Sequence, residues 1–174
     1  MSGGSTELTP ETIRTERLLL RKPTAADVED PPAFLADPRV VEFLGGVDDD
    51  LRGVVRRWLD DWDTYPAGKL IVETAAGERI GRVGFNFYDP DSWLRSTAPG
   101  ARAELTWALA YEQWGRGYAT EAAIAVRDWF GARPISLIAP ANVRSRRLAE
   151  RLGATPGETV EVPGVGTQVV WEHP

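Results

Sequence analysis

Residues Glu104 to Glu121 read ELTWALAYEQWGRGYATE, a strand-like run that passes through a turn with two glycines and straight into a helix start. Backbone N–H groups at a helix N-terminus have no intrahelical acceptor and point outward, so such a turn is a preformed anion site. Gly115 and Gly117 carry no side chain to hold a phosphate off the backbone, and Arg116 between them adds a charged donor. Two glycines at this spacing also suit a plain tight turn. A Rossmann fingerprint needs a third glycine where Thr120 stands, and the Gly-Lys-Ser/Thr of a Walker loop is absent. A second polar group follows the short apolar run Ile135 to Ala139: Asn142, Ser145 and Glu150, interleaved with Leu148, Leu152 and Gly153.

Composition narrows the chemistry. The 174 residues hold no cysteine and one histidine, His173. Disulfides, a catalytic thiolate, cysteine zinc sites and histidine-rich metal centres are therefore excluded, and His173 receives no role. Basic residues number 20 and acidic ones 26, a net charge of −6 that argues against a nucleic-acid coat. Only Lys22 and Lys69 are lysines, against 18 arginines, so local anion sites remain open. Hydrophobic residues at 43% and charged ones at 26% suit one globular domain. No run reaches the ~18 apolar residues of a membrane span, and Met1 to Pro10 has neither a basic start nor an apolar stretch. The expectation is a cytoplasmic, membrane-free protein with a loose tail at 1–12 and one domain at 13–174.

The elements that position these residues follow from periodicity. Arg17 to Arg21 suits a strand, and Thr24 with Asp27 has the spacing of a helix-starting box that Pro31-Pro32 interrupts. A second helical stretch covers Pro38 to Leu44 and stops at Gly45-Gly46. Leu51, Val54, Val55, Trp58 and Trp62 share one face of a 3.6-residue period. Asp48, Asp49 and Asp50 before it are read as caps, or as an acidic mouth for a cationic substrate. Lys69 to Thr74 and Arg79 to Tyr88 form a hairpin, with Val83, Phe85 and Phe87 on one face. Asp89 to Gly100 is a long loop of the kind that lines a site. Arg102 to Ala110 is a strand with Ala103, Leu105, Trp107 and Leu109 on one side, Glu104 and Thr106 on the other. A helix at Tyr118 to Phe130, a strand at Ile135 to Ala139 and a helix closed by Gly153 come next. Thr159 to Val162 and Thr167 to Trp171 pair as a final hairpin. The order implies an α/β domain with a mixed sheet covered by helices.

Taken together, WGRGYATEA and the Asn142-to-Gly153 stretch, ~20 residues apart, resemble the GNAT superfamily of acyl-CoA-dependent N-acyltransferases. TERLLLRKPTAAD is similar to the RimJ/RimL-type ribosomal-protein N-terminal acetyltransferases, and the resemblance runs from Thr15 to Gly153. It implies the GNAT fold, a central, mostly antiparallel twisted sheet flanked by helices, with acetyl-CoA as cosubstrate and no metal. The pyrophosphate loop would be Trp114, Gly115, Arg116, Gly117, Tyr118 and Ala119, with amides to Thr120. The strand from Glu104 would be bulged and splayed, its backbone at Trp107, Ala108 and Leu109 pairing with the pantetheine arm. Asn142 would bond the pantetheine, and Ser145 would sit near the thiol. Three positions depart from the family pattern: Trp114 replaces the usual glutamine or arginine, as in some RimL-like members. Ala149 stands where a tyrosine often protonates the leaving thiolate, and Ala154 where an aromatic is common.

An amine attacks a thioester only when neutral, so a base is needed, and without cysteine an acyl-cysteine intermediate is impossible. Direct transfer in a ternary complex follows, with Glu104 as base or as the ion-pair partner of Arg82 or Arg102, and Ser145 as proton donor or thiol contact. Glu121 reads as structural in the first helical turn, and Asn142 equally as a helix cap. The acceptor is expected to be a protein N-terminal α-amine, with a small cationic amine (polyamine, amino acid derivative or aminoglycoside) as the alternative. A non-catalytic acyl-CoA-binding module is the competing class, resting on Ala149. Seven tryptophans allow an apolar homodimer interface.

Overall fold

The computed structural model describes residues 12–174. The expected tail lies outside the described residues except for Thr12, which already pairs with Arg21. Eight strands form one sheet: β1 (Thr12–Arg14), β2 (Leu18–Arg21), β3 (Lys69–Thr74), β4 (Arg79–Tyr88), β5 (Arg102–Leu109), β6 (Ile135–Ile138), β7 (Thr155–Val162) and β8 (Gly166–Glu172). Their spatial order is β1-β2-β3-β4-β5-β6-β8-β7. Every neighbouring pair is antiparallel except β5 and β6. Five α-helices cover the faces: α1 (Ala25–Glu29), α2 (Pro38–Val41), α3 (Leu51–Thr64), α4 (Tyr118–Phe130) and α5 (Val143–Arg151).

Local chemistry sets the helix starts. Thr24 and Asp27 make a reciprocal capping box on α1. Burial alone would raise the Asp27 carboxyl, but Arg21 at 2.7 Å and the Thr24 donors outweigh it and hold it far below its ordinary value. Asp50 caps α3 by accepting from Gly53 N at 2.8 Å. Asp48 accepts from Asp50 N and pairs with Arg57, so Asp50 caps the helix and Asp48 steadies that cap. α2 ends at Val41, three residues before the expected stop, and continues as turns closed by Gly46 N to Val41 O.

Two apolar layers sandwich the sheet. Leu20, Leu70, Val72, Val83, Phe85, Leu105 and Leu109 pack with Ala122, Ala123 and Val126 of α4 and with Leu148 and Leu152 of α5. The other face sets Ile71 against Val28, Phe34, Leu35, Val55 and Trp58. Alternation in β4 divides the faces: Val83, Phe85 and Phe87 go to the first layer, leaving Arg82, Gly84, Asn86 and Tyr88 for the second.

The site is made possible by one topological break. β5 and β6 run parallel and share a single paired position, Glu104 with Ile135, beyond which they diverge. At the fork, Ser136 Oγ donates to Leu105 O at 2.7 Å, satisfying a carbonyl that the ladder no longer reaches. With its one hydrogen so used, Ser136 Oγ accepts from His173 Nε2 at 2.9 Å, which fixes the imidazole tautomer. His173 thus braces the fork, a structural part that sequence reasoning withheld from it. The splay of the strand is as expected, but the bulge is not: β4 and β5 stay in continuous register from Gly81–Leu109 to Tyr88–Arg102. Divergence from β6 alone opens the sheet.

Candidate active site

A cavity of about 430 Å³ occupies the wedge between β5 and β6. Its walls include Glu104 to Leu109, Ser136 to Ala139 and the loop residues Gly115 and Gly117, with Asn142, Ser145 and Arg144 on one rim and Arg39 and Phe43 on the other.

One end is closed by the glycine turn. Gly115 and Gly117 have φ of +76° and +80°, in the left-handed region that L side chains rarely adopt. Among the described residues, no backbone partner takes the N–H groups of Gly115 to Thr120. Six consecutive donors at the start of α4 therefore face outward. Arg17, which sequence reasoning missed, holds the turn in place. It donates to Arg116 O at 3.0 Å, pairs with Glu121 at 2.7 Å and lies 4.5 Å from the Tyr118 ring centroid. Glu121 also accepts from Thr15 Oγ1 at 2.6 Å, which bears out its structural reading. Burial would raise the Glu121 carboxyl, yet Thr15 and Arg17 bring it below its ordinary value. Arg116 is exposed and its side chain is not part of the cavity wall. The arginines that reach the cavity are Arg39, Arg144 and Arg151.

The middle of the cavity follows β5. Leu109 O is taken by Trp114 Nε1 at 2.8 Å and Leu105 O by Ser136. Ala108 is paired toward Arg82 of β4. Of the three backbone positions expected to meet an extended ligand, Trp107 faces the gap, Leu109 keeps only its N–H there because Trp114 takes its carbonyl, and Ala108 bonds toward β4. Asn142 caps α5 through Oδ1, which accepts from Ser145 N at 3.1 Å, so its Nδ2 hydrogens remain for another acceptor. Trp107 Nε1 donates to Ser145 Oγ at 3.3 Å, leaving the hydroxyl hydrogen uncommitted by that bond. Arg144 stacks over the Trp114 ring at 3.4 Å. Ala149 is fully buried against Ile138, Ala154 and Trp171, at the centre of a small apolar cluster. Ala119 and Thr120 line the cavity at the helix start.

The far end carries the charge. Glu104 is 7% exposed and its Oε2 accepts from Asn86 Nδ2 at 2.8 Å. Asn86 Oδ1 in turn accepts from Lys69 Nζ and from Arg95 Nη1, while Arg95 pairs with Asp61 at 2.8 Å. Burial pushes the Glu104 carboxyl up, with Asn86, Lys69, Arg82 and Tyr88 pulling back. Burial, together with Arg82 and Arg95, brings the Lys69 ammonium down to about 7. No ion pair joins Glu104 to Arg82 or Arg102; Arg82 bonds Thr106 and Arg102 pairs with Glu158. The loop after β4 folds back through a Tyr88–Arg95 bridge, which delivers Arg95 to this cluster. Sequence reasoning missed Lys69, Asn86 and Arg95, and named Arg82 only as a direct ion-pair partner of Glu104. Their signal was present: one of two lysines inside an apolar run, and polar residues at alternate positions of β4 opposite Val83, Phe85 and Phe87.

A sheet forked at one parallel pair, with an amide-rich turn at one end of the fork and a buried carboxylate at the other, defines an acyltransferase architecture. A family model for the acetyltransferase (GNAT) domain matches residues 17–155, and the chain belongs to that family. The curated N-acetyltransferase p20 of Bacillus licheniformis, itself uncharacterized, is 28% identical over 124 residues, which cover 68% of this chain; the chain spans 65% of that relative's length. An acetyltransferase structure from Agrobacterium tumefaciens is 32% identical with a TM-score of 0.77, covering 95% of each chain. An aminoglycoside acetyltransferase solved in complex with coenzyme A shares the fold, at 24% identity and a TM-score of 0.73 over 90% of this chain and 94% of that one. Among the described residues no helix is long and apolar enough to cross a membrane.

Proposed function

We propose that this chain transfers acetyl from acetyl-CoA directly to a primary amine, an α-amine at a protein N-terminus being the acceptor class. One observation carries the reading: a single cavity connects outward-facing amides suited to phosphate with the buried carboxylate of Glu104. The residues fit the coenzyme. The Gly115–Thr120 amides hold its phosphates, Trp107 offers its backbone edge and Asn142 offers Nδ2 to the pantetheine amides. Glu104 takes the proton from the attacking amine, a task that a burial-raised carboxyl suits near neutral pH. The nitrogen bonds to the thioester carbon, the C–S bond breaks, and Ser145 returns a proton to sulfur. Thr106, Trp107 and the cavity walls position the reactants, which supplies much of the rate.

The buried Ala149 favours a second reading, a coenzyme-binding module without turnover, since alanine stands where the family resemblance expects the tyrosine that protonates the leaving sulfur. An acceptor screen separates the two. With acetyl-CoA and a panel of amines including short peptides with free N-termini, an enzyme releases thiol with at least one acceptor. A module retains coenzyme and releases none.

A further inference from the structure

Arg82 projects from the face of β4 that also serves Asn86, and only 6% of its surface meets solvent. Its Nη1 donates to Thr106 Oγ1 at 3.0 Å, and its guanidinium lies 5.8 Å from the Trp58 ring centroid. Among the described residues it forms no ion pair. A guanidinium stays charged in proteins, and a buried charge without a counter-ion is costly. The surrounding groups do not neutralise it. Lys69 from β3, Arg82 from β4 and Arg95 from the following loop face two carboxylates, Asp61 of α3 and Glu104 of β5; Tyr65 and Tyr88 complete the cluster. Three basic side chains share two carboxylates, and Lys69, brought down to about 7, gives up part of its charge under that excess while Arg82 keeps its own. Burial brings the Arg82 guanidinium down to about 10 even with Glu104 and Tyr88 raising it.

Thr106 connects this excess to the cavity. It lines the wall two residues after Glu104, on the same face of β5 and therefore about 7 Å along the strand. Because Thr106 Oγ1 accepts from Arg82, its own hydrogen is left to donate into the cavity, polarised by the cation behind it. An amine directed to Glu104 places whatever lies next to its nitrogen against that hydroxyl.

We propose that Thr106 backed by Arg82 is an acceptor-specificity site, and that the amine acceptor carries a carboxylate close to its nitrogen. The carboxylate comes either from an α-amino acid or from an acidic first residue of a peptide. This rests on the acetyl-transfer reading and narrows its acceptor. Charge balance explains why an isolated arginine is kept in the wall: the occupant supplies the missing anion.

The test compares matched acceptors by thiol release. One arm sets α-amino acids against their own carboxamides; the other sets peptides beginning with Asp or Glu against those beginning with Asn or Gln. In at least one arm the acid should be favoured in kcat/KM by about tenfold or more, the weight of one charge-assisted hydrogen bond. In Arg82→Gln and Thr106→Val that ratio should fall toward one. Equal rates for acids and amides in the wild type overturn the proposal, as does a ratio that Arg82→Gln leaves intact. A loss of kcat shared equally by acid and amide assigns Thr106 to the reaction's oxyanion and also overturns it. If no amine releases thiol, the acetyl-transfer reading fails, and the anion site is still decided by calorimetry of N-acetylalanine against N-acetylalaninamide on the coenzyme-A-saturated protein. Tighter binding of the acid, abolished by Arg82→Gln, supports the site; equal binding of this pair and of N-acetylaspartyl amide against N-acetylasparaginyl amide rejects it. A selectivity role also requires that Arg82→Gln melt at or above the wild-type temperature, and a marked fall would make the guanidinium a structural tie.

Discussion

Replacing Glu104 by Gln removes the proposed base with little change of shape. A glutamine oxygen can still accept from Asn86 Nδ2, which now sits 2.8 Å from Glu104 Oε2, so the β4–β5 register has no reason to shift. A positioned base contributes about 10²–10⁴-fold, so kcat/KM should fall by that factor, or about 2.7–5.5 kcal/mol in transition-state free energy. The pH profile carries the sharper signature. Burial holds the Glu104 carboxyl above the ordinary value of about 4.3. The base works only when ionised, so wild-type kcat/KM should drop a further tenfold per unit as pH falls through that raised value. Protonation of the acceptor amine adds its own tenfold-per-unit fall below the amine's pKa, so the variant should keep that fall and lose only the further steepening due to Glu104. Removing the Lys69 charge with Lys69→Met should move that steepening further up, because one of the cations that favours ionised Glu104 is gone. Thiol release followed from about pH 5 to 9 reads both effects, and calorimetry with coenzyme A should give a nearly unchanged Kd, since the amide-rich turn lies at the other end of the cavity. An unchanged kcat/KM in Glu104→Gln with that steepening intact would refute the assignment.

Gly117→Asp puts a carboxylate where the backbone has φ +80° and where a Cβ lies 3.4 Å from Arg17 Nη2; coenzyme affinity measured by calorimetry should fall by about 100-fold or more, ~2.7 kcal/mol. Arg17→Ala loosens the same turn: coenzyme Kd should rise roughly 3–10-fold, while the melting temperature moves little because the Arg17–Glu121 pair is partly exposed and contributes at most about 1 kcal/mol. His173 is held neutral in the fold, its pKa brought down to about 4 by burial and by Arg127, against 6.5 when unfolded. The unfolded chain therefore binds the extra proton between those values, so stability should fall by about 2–3 kcal/mol as pH drops from 6.5 toward 4. His173→Gln should lose that part of the slope in denaturant melts. Asp27→Ala removes the α1 capping box and one of two carboxylate partners from Arg21 and from Arg79, which keep Glu73 and Asp30; it should cost about 2–3 kcal/mol, a drop of roughly 5–10 °C in thermal unfolding.

Much of the scaffold was legible from periodicity. The alanine stripe between Gly117 and Gly131 gave α4 its bounds, Tyr118–Phe130, because glycines at both ends adopt the left-handed conformation that stops a helix. Asp50 and the Leu51-to-Trp62 stripe likewise marked α3. Failures came where long-range pairing decides. β1 is three residues, too short for its polar-apolar-polar alternation to mark a strand, and pairing with β2 creates it. β7 begins at Thr155, four residues early, through a Pro156-Gly157 pair that reads locally as a turn. At the site, the glycine turn and Glu104 lie beside local signals and Asn142 and Ser145 enter through the family resemblance, and the fold sets all of them on one cavity. Arg17 reaches the turn across 99 residues, and Ser136 meets His173 across 37, so neither contact leaves a mark on nearby sequence. Lys69 and Asn86 each carry a local signal in their strands, but their joining with Glu104 into one chain exists only once three strands are in register.

Direct transfer is tested most directly by a single-turnover experiment with acetyl-CoA and an accepted amine, quenched over time and read by mass spectrometry. Thiol and acetylated amine should appear together in equal amounts, with the protein mass unchanged throughout. An acetylated protein that forms and then decays, or coenzyme retained with no thiol released by any amine, would contradict it.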